Sequence, residues 1–211
     1  GSYAKEMQSG VAASFQLFRD DCEHLELVLQ QLQVLDDRGY CKACLLLLWI
    51  EVDRQENETE AAQIPERILK SLAERIPVGT ASVDWLSDLS IQFAAWLLLK
   101  LRMTFPKLSL DELFQRTSSY HLSLVVTELC DVYSLKSKPK CISFCKELLV
   151  HIDDAMCSAD ALFSICRITP VNLRIDWIEK AIQTSESISS EIHRKNRTIE
   201  CAKLLLDAGL E

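Results

Sequence analysis

Apolar side chains in this chain recur every three or four residues, an interval that fits a helix and not a strand. Phe18, Cys22, Leu25, Leu29 and Leu32 are spaced 4, 3, 4 and 3 residues apart, which places them on one stripe. Asp20, Asp21, Glu23, Glu26 and Gln30 fall largely off it. The spacing predicts a helix between Val11 and Leu35, stopped by Asp36-Asp37-Arg38-Gly39, with Gly39 suited to the left-handed position after a C-terminus. Tyr40 to Val52 reads as a second helix, whose run Ala43 to Ile50 is apolar on every side and therefore needs cover all round.

The same pattern continues down the chain. Pro65 fits the first turn of a third helix carrying Ile68, Leu69, Leu72 and Ile76, ended by Pro77-Val78-Gly79. A fourth is expected from about Val83 to Met103, capped by Ser82 or Thr80, with Trp85, Leu89, Phe93, Trp96 and Leu97 on its apolar face. After Pro106, Ser109 can cap a short helix, and Ser118 or Ser119 starts another over His121 to Tyr133. Ser134 to Lys140, with Pro139 and three lysines, reads as a solvated connection. Helices then follow over Cys141 to His151, from Asp153-Asp154 to Cys166, from a cap at Asn172 through Trp177 to Ile182, and from about Arg197 to Asp207, where Gly209 gives the stop. Only five glycines and five prolines are present, too few for the tight turns of an all-β domain of this length. The expectation is an all-α chain of eight to ten helices stacked as antiparallel pairs, α-solenoid-like or an irregular bundle, forming one domain over residues 3–211. The opening Gly1-Ser2 matches a tag remnant, and the absence of an initiator Met suggests a fragment of a larger protein.

The rhythm of breaks resembles irregular HEAT, armadillo or tetratricopeptide stacking. Thr198-Ile199-Glu200-Cys201-Ala202-Lys203-Leu204-Leu205-Leu206-Asp207-Ala208-Gly209 resembles the second helix of an ankyrin repeat or the closing helix of a tetratricopeptide hairpin. Such resemblances imply a scaffold that holds other proteins rather than an enzyme.

Charge and cysteine content narrow the function classes. A net charge of −8 opposes nucleic-acid binding, which needs a basic footprint, and opposes an anionic membrane surface. The longest apolar run has eight residues, against the roughly 20 a spanning helix needs. Nine cysteines, an odd number set mostly in apolar helical stretches, read as free thiols in a reducing compartment, so an intracellular place in nucleus or cytoplasm is expected. Asn57-Glu58-Thr59 and Asn196-Arg197-Thr198 match the short glycosylation pattern, which the cysteines outweigh.

Few constellations could carry chemistry. Cys41-x-x-Cys44 and Cys141-x3-Cys145 could together offer four thiolates to zinc, although no Gly-rich knuckle surrounds them. His24, His121, His151 and His193 form no metal-binding pair, no serine sits in a Gly-flanked turn, and no Gly-rich phosphate loop exists. No cofactor is expected. Trp177, beside Arg174, Asp176 and Glu179, is the candidate interface anchor, while the acidic stretch from Glu51 through Glu56, Glu58 and Glu60 could attract a basic partner. The favoured expectation is a non-catalytic protein–protein interaction scaffold within a larger complex, binding another protein or a neighbouring domain. The alternatives are a zinc- or thiol-dependent domain using the four cysteines and an RNA-binding helical repeat.

Overall fold

A computed structural model describes residues 22–55, 62–76, 78, 84–86 and 89–209. Among them there is no strand, and ten α-helices pack against one another, so the chain is all-α. It divides into two compact units, one of residues 1–85 and 100–116, the other of residues 86–99 and 117–211.

The first unit contains α1 (Cys22–Leu32), α2 (Asp37–Gln55), α3 (Gln63–Arg75), the last turn of α4 (Ile91–Thr104) and the short α5 (Asp111–Phe114). Leu25 and Leu29 of α1 are buried, as the stripe required. In α2, Tyr40, Cys41, Cys44, Leu45, Leu47, Leu48 and Val52 are all buried, so burial runs round the helix. Tyr40 is fully buried, and its hydroxyl lies 2.6 Å from that of Ser71 on α3. The Arg75 guanidinium sits 4.4 Å from the centre of the same ring. It donates to the carbonyls of Gln33 and Leu35 and to Asp37, tying the end of α3 to the link between α1 and α2. Arg116 acts at the same C-terminal end of α3, donating to the Ile76 carbonyl at 2.6 Å and to the Glu112 carbonyl at 2.8 Å. Both arginines satisfy carbonyls left over at helix ends, groups that are costly to bury unpaired.

The second unit contains most of α4, then α6 (Ser119–Glu128), a π-helical turn (Leu129–Tyr133), α7 (Ser134–Leu149), α8 (Ala155–Ile168), a 3₁₀ turn (Val171–Leu173), α9 (Ile175–Glu186) and α10 (Glu191–Asp207). Helix α8 is central: α6, α7, α9 and α10 all pack on it. Eight consecutive or near-consecutive residues of α8, from Cys157 to Cys166, are buried accordingly. Ser118 caps α6 through the amide of His121, and Asp154 caps α8 through the amide of Cys157 at 2.8 Å. Ser119 accepts from the amides of Asp153 and Asp154, fixing the α7–α8 link against α6. Arg197 of α10 grips Asp160 of α8 through two bonds of 3.1 and 2.8 Å.

Several boundaries differ from the sequence expectation. Gly39 is not a left-handed stop; it lies in the first turn of α2, and its amide donates to Asp36 Oδ1 at 2.7 Å. A β-carbon there would meet that same oxygen at 2.9 Å, so glycine leaves room for the cap. Helix α4 starts at Ile91, not near Val83, because Ser90 caps it through the amide of Phe93. Trp85 therefore precedes the helix, buried in a turn under Arg116. The Ser134–Lys140 stretch is helix rather than connection, with Pro139 on an exposed face inside α7. Ser109 lies before α5 but Leu110 is its N-cap, and Asn172 belongs to the 3₁₀ turn while Arg174 precedes α9. Helix α10 begins six residues before Arg197. Gly209 does adopt the left-handed conformation, φ 71°, at the expected stop. Phe18, the caps Thr80 and Ser82, and the stop residues Pro77 and Gly79 lie outside the described residues.

Two stability outcomes follow from these contacts. Tyr40→Phe leaves the buried Ser71 hydroxyl without its partner and lowers unfolding free energy by about 1–2 kcal/mol in urea titration. Asp154→Ala removes a helix cap worth about 1 kcal/mol. Amide bonds to its carboxylate hold the Asp154 pKa below the usual value, so its contribution is present above about pH 4 and disappears as pH falls through the lowered pKa. The difference between wild type and Asp154→Ala should therefore shrink in acid.

Candidate functional site

The candidate residues fall into distinct settings. Cys41 and Cys44 lie on α2 beside Tyr40, both buried. Burial pushes the thiol of each up to about 12, helped at Cys41 by the Asp37 carboxylate and at Cys44 by Cys41. Cys141 and Cys145 lie on α7, also buried. The sulfur of Cys145 is 4.0 Å from that of Cys130 on the π-helical turn, a neighbour that the sequence pattern did not single out. The contact with Cys130, reinforced by burial, holds the Cys145 thiol far above its ordinary value. Burial raises Cys141 as well. Cys166 rises to about 12 by burial, and Cys157 to about 11 by burial beside Asp154.

A nucleophilic or metal-binding cysteine needs its thiolate form, favoured by nearby positive charge and exposure. These thiols have the opposite surroundings. The structure joins Cys145 to Cys130 and leaves the proposed four-cysteine set divided between α2 of one unit and α7 of the other. Among the described residues, no three His, Cys, Asp or Glu side chains group so as to hold a metal ion. His121 Nδ1 is 2.9 Å from the Ser118 hydroxyl, and His193 is exposed on α10.

Glu56, Glu58 and Glu60 lie outside the described residues. Glu51, the first acid of that stretch, is not on an exposed loop: it is buried in α2, paired with Arg54 at 3.3 Å. Burial raises its carboxyl pKa against the lowering pull of Arg54.

Trp177 is buried at 8% exposure, so its ring does not project as an anchor. It instead forms part of a groove of 460 Å³ between α7, α8 and α9. Leu149 and Val150 line the α7 side, Leu162 belongs to α8, and Lys180 to α9. The ammonium groups of Lys146 and Lys180 lie 5.2 and 5.0 Å from the centre of the Trp177 ring. Val150 at the groove edge is 77% exposed. Lys180 stands three residues after Trp177, a helical neighbour visible in the sequence. Lys146 is 31 positions away, and only the packing of α7 beside α9 brings it there.

The fold defines a protein of packed helices with an open groove between α7, α8 and α9. No family profile, curated protein or solved structure matches the chain. No helix among the described residues is long and apolar enough to cross a membrane.

The raised thiols give a sign to the alkaline stability. A folded-state thiol pKa near 12 against an ordinary value of 9 contributes stability that is complete below pH 9 and is lost as pH rises toward 12. The urea midpoint should fall steadily above pH 9. Cys44→Ala, although less stable at neutral pH, should lose less across that window; equal slopes for the two proteins would show that Cys44 does not titrate as described.

Proposed function

We propose that this chain is a non-catalytic protein–protein interaction and scaffold domain of a larger intracellular protein, working as part of a complex in the nucleus or cytoplasm. One observation carries most weight. Helix α10 buries Cys201 and Leu204 against its own unit, while Ile192, Ile199 and Leu206 are 73%, 54% and 69% exposed. These three residues are seven apart, so they share one stripe with only about 20° of drift per step. Residues 199 and 201 stand about 200° apart around a helix of 3.6 residues per turn, which puts the stripe opposite the buried face. Isolated exposed leucines are ordinary, but three apolar side chains aligned on one face at two-turn intervals, with Lys195, Asn196, Ala202 and Lys203 between them, are anchor points that a partner helix or neighbouring domain can cover.

The protonated, buried thiols give no support to a zinc- or thiol-dependent function, and the acidic balance gives none to RNA binding. A pull-down from nuclear and cytosolic extracts under mild salt tests the scaffold role. The wild type should retain a discrete set of proteins that the Ile199→Glu/Leu206→Glu variant loses, with circular dichroism unchanged. Recovery of nothing by the wild type would count against an interaction domain; the same set on both proteins would acquit the stripe.

A further inference from the structure

Basic side chains in the second unit are almost all spoken for. Arg167 pairs with Glu200, Arg197 with Asp160, Lys195 with Glu191 and Lys203 with Glu200. Arg174 donates to the Thr169 carbonyl and Arg194 to that of Ile188. Among the described side chains of this unit, Lys140, Lys146 and Lys180 have no anionic partner. Two of those three converge on one aromatic ring, at the groove between α7, α8 and α9. In a chain of net charge −8, two unneutralised ammonium groups beside the same tryptophan form a local reversal of sign.

We infer that this groove is a docking site for a short acidic peptide segment of a partner protein, its carboxylates meeting Lys146 and Lys180 and an apolar side chain resting on Leu149, Val150 and Leu162. This rests on the interaction-domain role proposed above and adds a second surface to it, distinct from the α10 stripe. Charge complementarity names the occupant. Both ammonium groups lie about 5 Å from the ring centre. Two ammonium groups gathered round one ring are close enough for acidic side chains of a single short peptide to meet both. The groove runs along α9 from Asp176 to Thr184, roughly 12 Å at 1.5 Å per residue, enough for about two turns of a peptide helix. Leu149, Val150 and Leu162 supply the apolar contact that a purely electrostatic site would lack. Asp176, also on the lining, repels a continuous polyanion such as nucleic acid while leaving room for a peptide with spaced acids.

The test is selection of a random twelve-residue display library on the whole immobilised chain, followed by titration of synthetic copies of the enriched peptides. Enrichment in Asp and Glu around an apolar residue is expected. Affinity should drop about tenfold or more on the Lys146→Glu/Lys180→Glu variant, and should weaken between about 50 and 300 mM salt. Lys195→Glu, on the exposed face of α10, should bind as the wild type does. Both lysines are exposed, and circular dichroism of the double variant serves as the folding control. Peptides without acidic enrichment, peptides that bind the double variant equally well, or no enriched peptides at all would overturn the inference. Lysine-dependent binding of heparin or phosphatidylserine vesicles without any acidic peptide would overturn it in favour of a polyanion site. Peptides that survive the double variant but not Ile199→Glu/Leu206→Glu would remove this groove and leave the interaction-domain role standing.

Discussion

A helix that is apolar around its whole circumference cannot lie at a surface, and that constraint governs both units. Helix α2 buries side chains from Tyr40 to Val52 on successive faces, and α4 buries Ala94, Ala95, Leu97, Leu98, Leu99 and Leu101. Full burial of a leucine-sized side chain contributes about 1.5–3 kcal/mol, against the entropy lost in ordering chain and rotamers. No single neighbouring helix can cover such a surface, so each of these segments requires several neighbours. Helix α8 answers the same demand in the second unit, with four helices packed on it. The cysteines belong to this logic: they are small apolar side chains placed where helices meet.

Packing of this kind leaves helix ends inside the structure, and their unpaired backbone groups need donors or acceptors. Arg75 and Arg116 donate to carbonyls around the C-terminal end of α3, Ser119 receives two amides at the α7–α8 link, and Arg174 covers the Thr169 carbonyl before α9. These side chains are charged or hydroxylated yet serve the fold. Lys146 and Lys180 are engaged differently, facing a tryptophan rather than a carboxylate.

Function reads in the same terms. Burial raises the thiols of Cys44 and Cys166, which suits packing and opposes thiolate chemistry. What remains available to solvent is surface: an apolar stripe on α10, and a basic groove beneath it in chain order. Packed helices hold such surfaces in place, because the opposite faces of the same helices belong to the core.

The sequence by itself determined the helices and most of the core. Interval and leucine content marked α2, α3 and the buried face of α9, and cap chemistry marked Ser118 or Ser119, the Asp153-Asp154 pair and the stop at Gly209, because those signals are local and span four residues or fewer. Gly39, Pro139 and Asn172 misled for the complementary reason. Each residue type suits a helix end in isolation, but Asp36 used the glycine as room for a cap, and an exposed helix face accepted the proline. The candidate site was legible only in part. Trp177 could be picked out as unusual among charged neighbours, yet its burial, the approach of Lys146 and the contact of Cys145 with Cys130 depend on which helices lie side by side. That choice belongs to tertiary packing, where the energy comes from surfaces many residues apart in the chain and no single segment carries the information.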